Sequence, residues 1–258
     1  MAVRGLTLFP GGTLALDRSI TLYRTGMGET VRTPIGMALV ETDDGWILFD
    51  TGLDPRGLND PDGIWGNHIR PLVVDFEAHH DIRRLMAAAG VATDAVRYLV
   101  NSHLHYDHTG GNRFFPEAEW IVQKAEYRFA RFPDSFAAGP YLPDHFDGDR
   151  SGGLRLVEGD TAVVDGVSLL FTPGHTPGHQ SMVVDLPESG PAILTGDAVF
   201  CADNITLDRP SGNCWNSARA VESIHRLTLM ASVTSARLMI FHDPAVWETL
   251  RPWPHVYR

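Results

Sequence analysis

The densest group of metal-ligand side chains in the sequence lies in Asn101-Ser102-His103-Leu104-His105-Tyr106-Asp107-His108-Thr109-Gly110-Gly111-Asn112. Imidazole and carboxylate ligands suit zinc, manganese or iron. His103 and His105 are two residues apart, so both rings point to the same side if the segment is extended. Asp107 and His108 follow, where Thr-Gly-Gly-Asn signals a turn. The spacing predicts that one pair of side chains holds one metal and that the next pair holds a second metal beside it.

Three later segments share one pattern: a predicted apolar strand ends, and a histidine or aspartate that could bind a metal follows it. They are Phe171-Thr172-Pro173-Gly174-His175-Thr176-Pro177-Gly178-His179, Leu194-Thr195-Gly196-Asp197 and Met239-Ile240-Phe241-His242-Asp243. A lone histidine at a strand end is usually structural, but strand ends that meet at one rim commonly build a site. We therefore expect a histidine of the first segment, Asp197 of the second and a side chain at the end of the third to complete the site. His179 is expected to be a supporting or a purely structural histidine.

Composition indicates a soluble enzyme of one domain over residues 1–258. Hydrophobic residues make up 43% of the chain, which is enough for a sizeable core. The formal net charge of −11 argues against a nucleic-acid partner. No apolar run approaches a membrane span or a signal peptide, and two cysteines form no disulfide framework. We expect a cytoplasmic protein with no membrane partner.

Strands dominate the predicted secondary structure, with helices between them. The predicted strands cover residues 46–49, 96–100, 120–122, 154–157, 168–171, 181–185, 192–194 and 237–241. The predicted helices cover residues 81–89, 124–131 and 216–231. The segment from Phe132 to Gly153 is rich in Pro, Gly and Asp, which predicts a surface loop and a possible pocket wall. The remaining histidines, His68, His79, His80, His145, His225 and His255, are expected at the surface.

His103-Leu104-His105-Tyr106-Asp107-His108 matches the HxHxDH motif of the metallo-β-lactamase superfamily, and the resemblance extends from Phe49-Asp50-Thr51-Gly52 to His242-Asp243. It implies an α/β fold of the four-layer αβ/βα sandwich type, with two divalent metal ions, expected to be Zn²⁺, at one edge. By this resemblance, the first metal would be held by His103, His105 and His175. The second would be held by Asp107, His108 and His242. Asp197 would bridge the two metals. Asp50 would not bind metal itself but would orient the segment that carries ligands.

Differences between this sequence and other branches of the superfamily narrow the range of expected functions. Diiron redox members have a glutamate at the position of His105, and glyoxalase II-like enzymes carry a further helical domain. The sequence more closely resembles bacterial lactonases of the N-acyl homoserine lactone and γ-butyrolactone type. Shared features include Leu8-Phe9-Pro10-Gly11-Gly12, Glu41-Thr42-Asp43-Asp44-Gly45 and Asp62-Gly63-Ile64-Trp65-Gly66-Asn67. We therefore expect a quorum-quenching lactonase, and the resemblance also implies a homodimer.

One difference from those lactonases concerns the substrate pocket. They usually place a tyrosine three residues after the bridging aspartate, where its hydroxyl meets the substrate carbonyl, whereas this chain has Phe200. Trp65, Tyr106 and Phe200 stand beside the motifs and are expected to form pocket walls. The lost hydroxyl leaves open another ester, amide or cyclic substrate. A catalytically silent metal-binding protein is a third possibility, against which the complete ligand set argues.

Chemistry at a metal pair explains how a lactone would be opened. Bound metal lowers the pKa of water from about 15.7 toward about 7, which supplies a nucleophile at neutral pH. A metal also polarises the carbonyl oxygen and stabilises the developing oxyanion. Asp107 is the best candidate to pass a proton to the leaving ring oxygen. The sequence leaves open the alternative that Asp107 is only a metal ligand.

Overall fold

The computed structural model describes residues 3–148 and 150–258; Asp149, which falls within the predicted loop from Phe132 to Gly153, lies outside the described residues. Within those ranges the chain forms twelve strands, nine α-helices and eight 3-10 helices. The strands are β1 (Val3–Asp17), β2 (Thr30–Thr42), β3 (Gly45–Phe49), β4 (Val73–Asp75), β5 (Val96–Val100), β6 (Glu119–Gln123), β7 (Leu154–Val157), β8 (Thr161–Val164), β9 (Val167–Phe171), β10 (Gln180–Leu186), β11 (Gly190–Leu194) and β12 (Arg237–Met239).

The α-helices are α1 (Arg18–Thr21), α2 (Pro61–Ile64), α3 (Gly66–Ile69), α4 (Ile82–Ala88), α5 (Tyr106–Thr109), α6 (Lys124–Arg131), α7 (Ala202–Thr206), α8 (Ser217–Thr234) and α9 (Pro244–Thr249). The 3-10 helices cover Pro55–Leu58, Arg70–Leu72, Ala78–His80, Thr93–Ala95, Asn112–Phe114, Ser135–Ala137, Pro143–His145 and Gly196–Ala198. No helix of the described residues is both long enough and apolar enough to cross a membrane.

Two mixed sheets form the centre of the fold. The first has the strand order β4-β1-β2-β3-β5-β6-β7, and the second has the order β12-β11-β10-β9-β8. In the first sheet, β3, β5, β6 and β7 run parallel. In the second, β9 and β11 both lie antiparallel to β10, and β12 runs parallel to β11. The carboxyl ends of β3 and β5 therefore meet at one edge of the first sheet, and those of β9, β11 and β12 meet at one edge of the second.

Apolar side chains on both faces of the strands pack the sheets into four layers. On β2, Ala38 and Val40 face the second sheet, whereas Met37 and Leu39 pack toward α4. This alternation follows from the two-residue period of a strand, and both sets are apolar because both faces are covered. Helix α8 covers the outer face of the second sheet, where Ile224 joins an apolar cluster with strand residues. The predicted four-layer αβ/βα sandwich is confirmed.

Most predicted elements are present, with small shifts at their ends. The helices at residues 81–89 and 124–131 appear as α4 and α6, and the helix at 216–231 continues to Thr234 in α8. The last predicted strand is shorter than expected, because β12 ends at Met239 although Ile240 and Phe241 remain buried. The long strands β1 and β2 were not among the predicted elements.

Two histidines expected at the surface are buried, and that expectation was wrong for them. His145 is 4% exposed and His80 is 8% exposed. The Nδ1 atom of His145 lies 3.2 Å from the Thr109 hydroxyl, and Nε2 lies 3.6 Å from a carboxylate oxygen of Asp54. Polar partners inside the fold therefore allow this side chain to leave water. Burial lowers the pKa of His145 to about 4.

Candidate dinuclear metal centre

The seven predicted ligands lie together at the edge where the two sheets meet. Four of them follow strand β5: His103, His105, Asp107 and His108. The other three follow β9, β11 and β12: His175, Asp197 and His242. All seven are at most 7% exposed. The parallel direction of the strands within each sheet is the reason that segments far apart in sequence place their side chains here.

Three histidines form the first group. The ligand atoms of His103, His105 and His175 lie within 4.8 Å of one another. Nε2 of His175 is 3.1 Å from Nδ1 of His105 and 3.3 Å from Oδ2 of Asp197. Nε2 of His103 is 3.9 Å from the same oxygen. One oxygen of Asp197 therefore faces this group.

Asp107, His108 and His242 form the second group, and their ligand atoms also lie within 4.8 Å of one another. The Oδ1 atom of Asp197 is 3.2 Å from Nε2 of His108 and 3.0 Å from Nε2 of His242. Asp107 Oδ2 lies 3.7 Å from Nε2 of His108. Asp197 thus presents one carboxylate oxygen to each group, which is the arrangement that a bridging ligand needs.

These separations fit metal ions, and the shortest of them are also within hydrogen-bond distance. Two ligand atoms about 2.1 Å from one tetrahedral zinc ion are about 3.4 Å apart, close to the distances within both groups. The Nε2 atom of His103 is buried and has no hydrogen-bond partner among the described residues. A buried polar atom without a partner is costly. A cation in the first group would give this nitrogen a partner.

Hydrogen bonds behind the rings fix which nitrogen faces the site. Nδ1 of His108 lies 2.8 Å from Oδ2 of Asp50, and Nδ1 of His242 lies 2.7 Å from the carbonyl oxygen of Pro34. Each Nδ1–H donates to its oxygen, so each Nε2 carries a lone pair directed at the metal groups. Asp50 also accepts hydrogen bonds from the backbone N–H and the hydroxyl of Ser102, at 2.7 Å each.

His179 supports the bridging carboxylate and lies outside both ligand groups. Its Nδ1 lies 2.9 Å from the hydroxyl of Thr172, and its Nε2 accepts the backbone N–H of Asp197 at 2.9 Å. Gly196 has a φ of +53° and lies so close to His179 that a Cβ would be 2.6 Å from its Nε2. A glycine is therefore required beside Asp197, both for the left-handed backbone and for the close approach.

The electrostatics of the site favour positive charge near Asp197. Burial holds the pKa of His103 well below its ordinary value and lowers the pKa of His175 to about 4. Burial also opposes charge on His108 and His242, but the carboxylates around them, Asp197 foremost, together outweigh it and raise the pKa of both rings. Conversely, the surrounding histidines hold the pKa of Asp197 well below its usual range despite burial. A divalent cation would take the place of these protons.

Glu126 on α6 is a buried residue that sequence reasoning missed. Its carboxylate accepts hydrogen bonds from the backbone N–H of Leu104 at 3.0 Å, from the backbone N–H of Gly178 at 3.1 Å and from the hydroxyl of Tyr141 at 3.1 Å. It therefore joins two ligand segments and the predicted loop. The ring of Tyr141 packs edge-on against His105, with centroids 4.7 Å apart. A single acidic residue on an amphipathic helix gives no sequence signal for this role.

A cavity of about 200 Å³ opens onto the metal groups, with His105 of the first group and Asp107 of the second in its wall. Its walls include Tyr106 and Phe200 together with Asp197. Leu14, Leu16, Ile20 and Leu72 make the rest of the wall largely apolar. The Phe200 ring stacks on His242, with centroids 4.5 Å apart. The site therefore combines metal-ligand side chains with an apolar chamber.

Trp65 lies behind this cavity wall. It shares an apolar cluster with Tyr106 and Phe200, and its ring meets Phe76 edge-on at 5.7 Å. It does not line the cavity beside the second group in the described part of the chain. Its part in the pocket is therefore to support the residues that do. A second cavity of about 230 Å³ lies against His105 and His175 and has aromatic walls that include Tyr141 and Trp215.

Comparisons with known proteins agree with this geometry. The sequence profile of the metallo-beta-lactamase superfamily matches residues 34–236. An N-acyl homoserine lactonase from a Bacillus species is 34% identical over 244 residues, which cover 94% of each chain. The N-acyl homoserine lactonase AttM of Rhizobium johnstonii is 34% identical over 257 residues, which cover 98% of each chain.

A solved structure is also similar over the full length. It is an N-acyl homoserine lactone hydrolase with the product N-hexanoyl-L-homoserine bound at its catalytic metal centre. The TM-score is 0.88 at 30% sequence identity, and the match covers 99% of this chain and 100% of the other. The predicted resemblance is confirmed by these matches.

Proposed function

The chain belongs to the metallo-beta-lactamase superfamily, and we propose that it is a dinuclear-metal hydrolase that opens the lactone ring of N-acyl homoserine lactones. The observation that carries this proposal is Asp197, whose two oxygens face two separate ligand groups at the floor of an apolar cavity. Degradation of such signals would make the protein a quorum-quenching enzyme. The relatives with this activity, matched over nearly their whole length, support the same substrate class.

Two divalent ions, expected to be zinc, would be held by the two groups. His103, His105 and His175 would hold the first ion, and Asp107, His108 and His242 the second. Asp197 would bridge them. When bound, the ions supply an acidified water as nucleophile and a Lewis acid for the carbonyl group. The protein's own part is to hold the buried ligand side chains of both groups in place beside a largely apolar cavity.

Ring opening requires that one proton reach the leaving oxygen. Water adds to the lactone carbonyl, the bond between the carbonyl carbon and the ring oxygen breaks, and the ring oxygen takes up a proton. Asp107 lines the cavity, so its carboxyl group can reach a substrate placed over the second group. We propose that Asp107 delivers this proton in addition to its ligand role. The product is a hydroxy acid, which releases one proton at neutral pH.

The apolar side of the cavity suits an acyl chain. Leu14, Leu16 and Ile20 from β1 and the first helix lie on the same wall as Phe200. Phe200 has no hydroxyl to donate to a substrate carbonyl. This difference is the specific observation that favours a second candidate, a hydrolase of another ester, amide or cyclic substrate on the same scaffold.

A substrate panel tests the proposal directly. The zinc-loaded protein is mixed with N-acyl homoserine lactones of several chain lengths, simple γ-lactones, a β-lactam and an aryl ester, and a pH indicator follows proton release. Rapid turnover of the homoserine lactones and loss of turnover in His105→Ala protein would support it. Turnover of only the ester or the β-lactam would favour the second candidate, and no turnover of any substrate by metal-replete protein would overturn both.

Two further properties belong to this proposal. We propose a cytoplasmic location, which agrees with the small number of cysteines and their free thiols. We also propose a homodimer; exposed apolar side chains such as Leu229 and Val233 on α8 offer contact surface for it. Sedimentation of the purified protein would separate monomer from dimer.

A further inference from the structure

We propose that the hydroxyl of Tyr106 donates a hydrogen bond to the amide oxygen of an N-acyl homoserine lactone and thereby favours lactones that carry an amide. This inference rests on the proposed function, because it assigns a role within the same site. The hydroxyl of Tyr106 has no role in the metal chemistry proposed above.

Tyr106 stands at the neck between two cavities. The cavity beside the metal groups is about 200 Å³, and an outer cavity of about 340 Å³ adjoins it. Leu72, Tyr106 and Pro140 line both cavities. The outer cavity is walled mainly by apolar groups, among them Ile69. A substrate that occupies both cavities must therefore pass these three residues.

Tyr106 is the only one of the three neck residues with a polar side chain. No hydrogen bond within the described residues involves its hydroxyl, although the side chain is largely buried. By contrast, the hydroxyl of Tyr141 donates to Glu126 at 3.1 Å. The hydroxyl oxygen of Tyr106 is not one of the fully buried polar atoms without a partner, and the residue lines both cavities. The hydroxyl can therefore take a hydrogen-bond partner from a ligand in them.

The ring of Tyr106 is held in place by its surroundings. Its backbone N–H donates to the carbonyl oxygen of Pro140 at 3.0 Å, and its side chain packs in one apolar cluster with Ile69 and Phe200. A donor on a ring that is already fixed loses little conformational entropy when it binds a ligand. The neck thus offers a hydrogen bond at a defined place.

The order of chemical groups in an acyl homoserine lactone matches the order of these cavities. Its lactone ring would lie over the metal groups, and its acyl chain would enter the apolar outer cavity. The amide, which joins the two parts, then falls at the neck beside Tyr106. A lactone with a plain alkyl substituent would place methylene groups there and leave the hydroxyl without a partner.

Two matched substrates and one substitution test the inference. The substrates are N-hexanoyl homoserine lactone and α-heptyl-γ-butyrolactone, in which two methylenes replace the amide N–H and C=O. Tyr106→Phe should lower kcat/KM for the amide substrate by about fivefold, mainly through KM, and should change the alkyl lactone by less than about twofold. Tyr98→Phe removes a hydroxyl on β5 that borders neither cavity, and it should leave the ratio unchanged.

The ratio between the substrates protects the test from folding defects, because both are measured on the same protein. Equal losses for both lactones would show that Tyr106 contacts the lactone ring or has only a packing role. Either result would overturn the inference. An unchanged ratio with full activity would overturn it as well. If the unsubstituted protein opens neither lactone, the proposed function fails, and this inference fails with it.

Discussion

The Oδ2 atom of Asp50 lies 2.8 Å from Nδ1 of His108, and this contact joins the end of β3 to a predicted ligand of the second metal. Asp50 adopts a left-handed backbone with a φ of +60°, which is uncommon outside glycine, although aspartate adopts it more often than most residues. Its backbone N–H donates to the carbonyl of Val100 at 2.9 Å, so the strained turn is held against β5. Asp50 therefore fixes both the position and the tautomer of His108.

Asp50→Asn should weaken metal binding without removing a ligand. An asparagine amide has no negative charge with which to attract the imidazole of His108. Its NH₂ group can also face the Nδ1–H of that ring, so that two donors oppose each other. We expect zinc affinity to fall by about 10- to 100-fold. Competition with a chromophoric chelator measures this change. Asp43→Asn alters an exposed carboxylate that pairs with Arg4, so it is the matched control. Unchanged zinc affinity in Asp50→Asn protein would contradict the role given to Asp50.

The ligand segments could be predicted from sequence, but their supports could not. His175 and Asp197 follow apolar strands that stop at Pro-Gly or Gly, a local pattern that the chain itself displays. Glu126 acts through Leu104 and Gly178, which lie 22 and 52 residues away in sequence. Such long-range contacts depend on how the sheets pack, and no local period encodes them.

Predicting β1 from sequence was difficult for a related reason. Its 15 residues include Pro10, Gly11 and Gly12, which normally indicate a turn. In the structure the strand passes through them with an irregularity in register opposite Pro34 and Gly36 on β2. The burial of Phe9 and Leu14 on either side of this interruption outweighs the local turn signal.

Glu126→Gln should destabilise the fold and the first metal group together. The glutamine can keep one acceptor oxygen, but its NH₂ group then faces an N–H donor, either that of Leu104 or that of Gly178. The free energy of unfolding should fall by about 1–3 kcal/mol, as measured by urea titration. Glu222→Gln, on the exposed side of α8, provides the control. A loss no larger than that of the control would show that the three hydrogen bonds matter little.

His105→Ala should reduce bound metal from about two ions per chain to about one, because it removes one nitrogen of the first group. Elemental analysis after dialysis measures the ratio, and lactone turnover should fall by at least about 100-fold. The exposed His225 pairs with Asp208 at the surface, away from the metal groups, so His225→Ala serves as control. Retention of two ions and full turnover in the His105→Ala protein would be inconsistent with the ligand assignment.

Asp107→Asn separates the ligand role of this residue from proton delivery. If Asp107 delivers the proton, turnover should collapse even in metal-replete protein, since the amide cannot donate an acidic proton to the ring oxygen. The loss should shrink for esters with good leaving groups, which need less protonation. Equal losses across leaving groups, together with reduced metal content, would show that Asp107 acts as a ligand only.

Phe200→Tyr tests the most distinctive feature of the pocket. The ring stacks on His242 and lines the cavity, and its backbone N–H donates to Asn204 at 2.8 Å, so the new side chain should keep the same place. An added hydroxyl can donate to the lactone carbonyl, and a donor of this kind is worth about 3 kcal/mol where a site is built around it. We therefore expect lactonase activity to stay unchanged or to rise, as measured by kcat/KM. If the natural substrate instead places an apolar group against Phe200, the hydroxyl would be buried without a partner at a cost of about 1–3 kcal/mol. A sharp rise in KM for every lactone would then favour the second candidate substrate class.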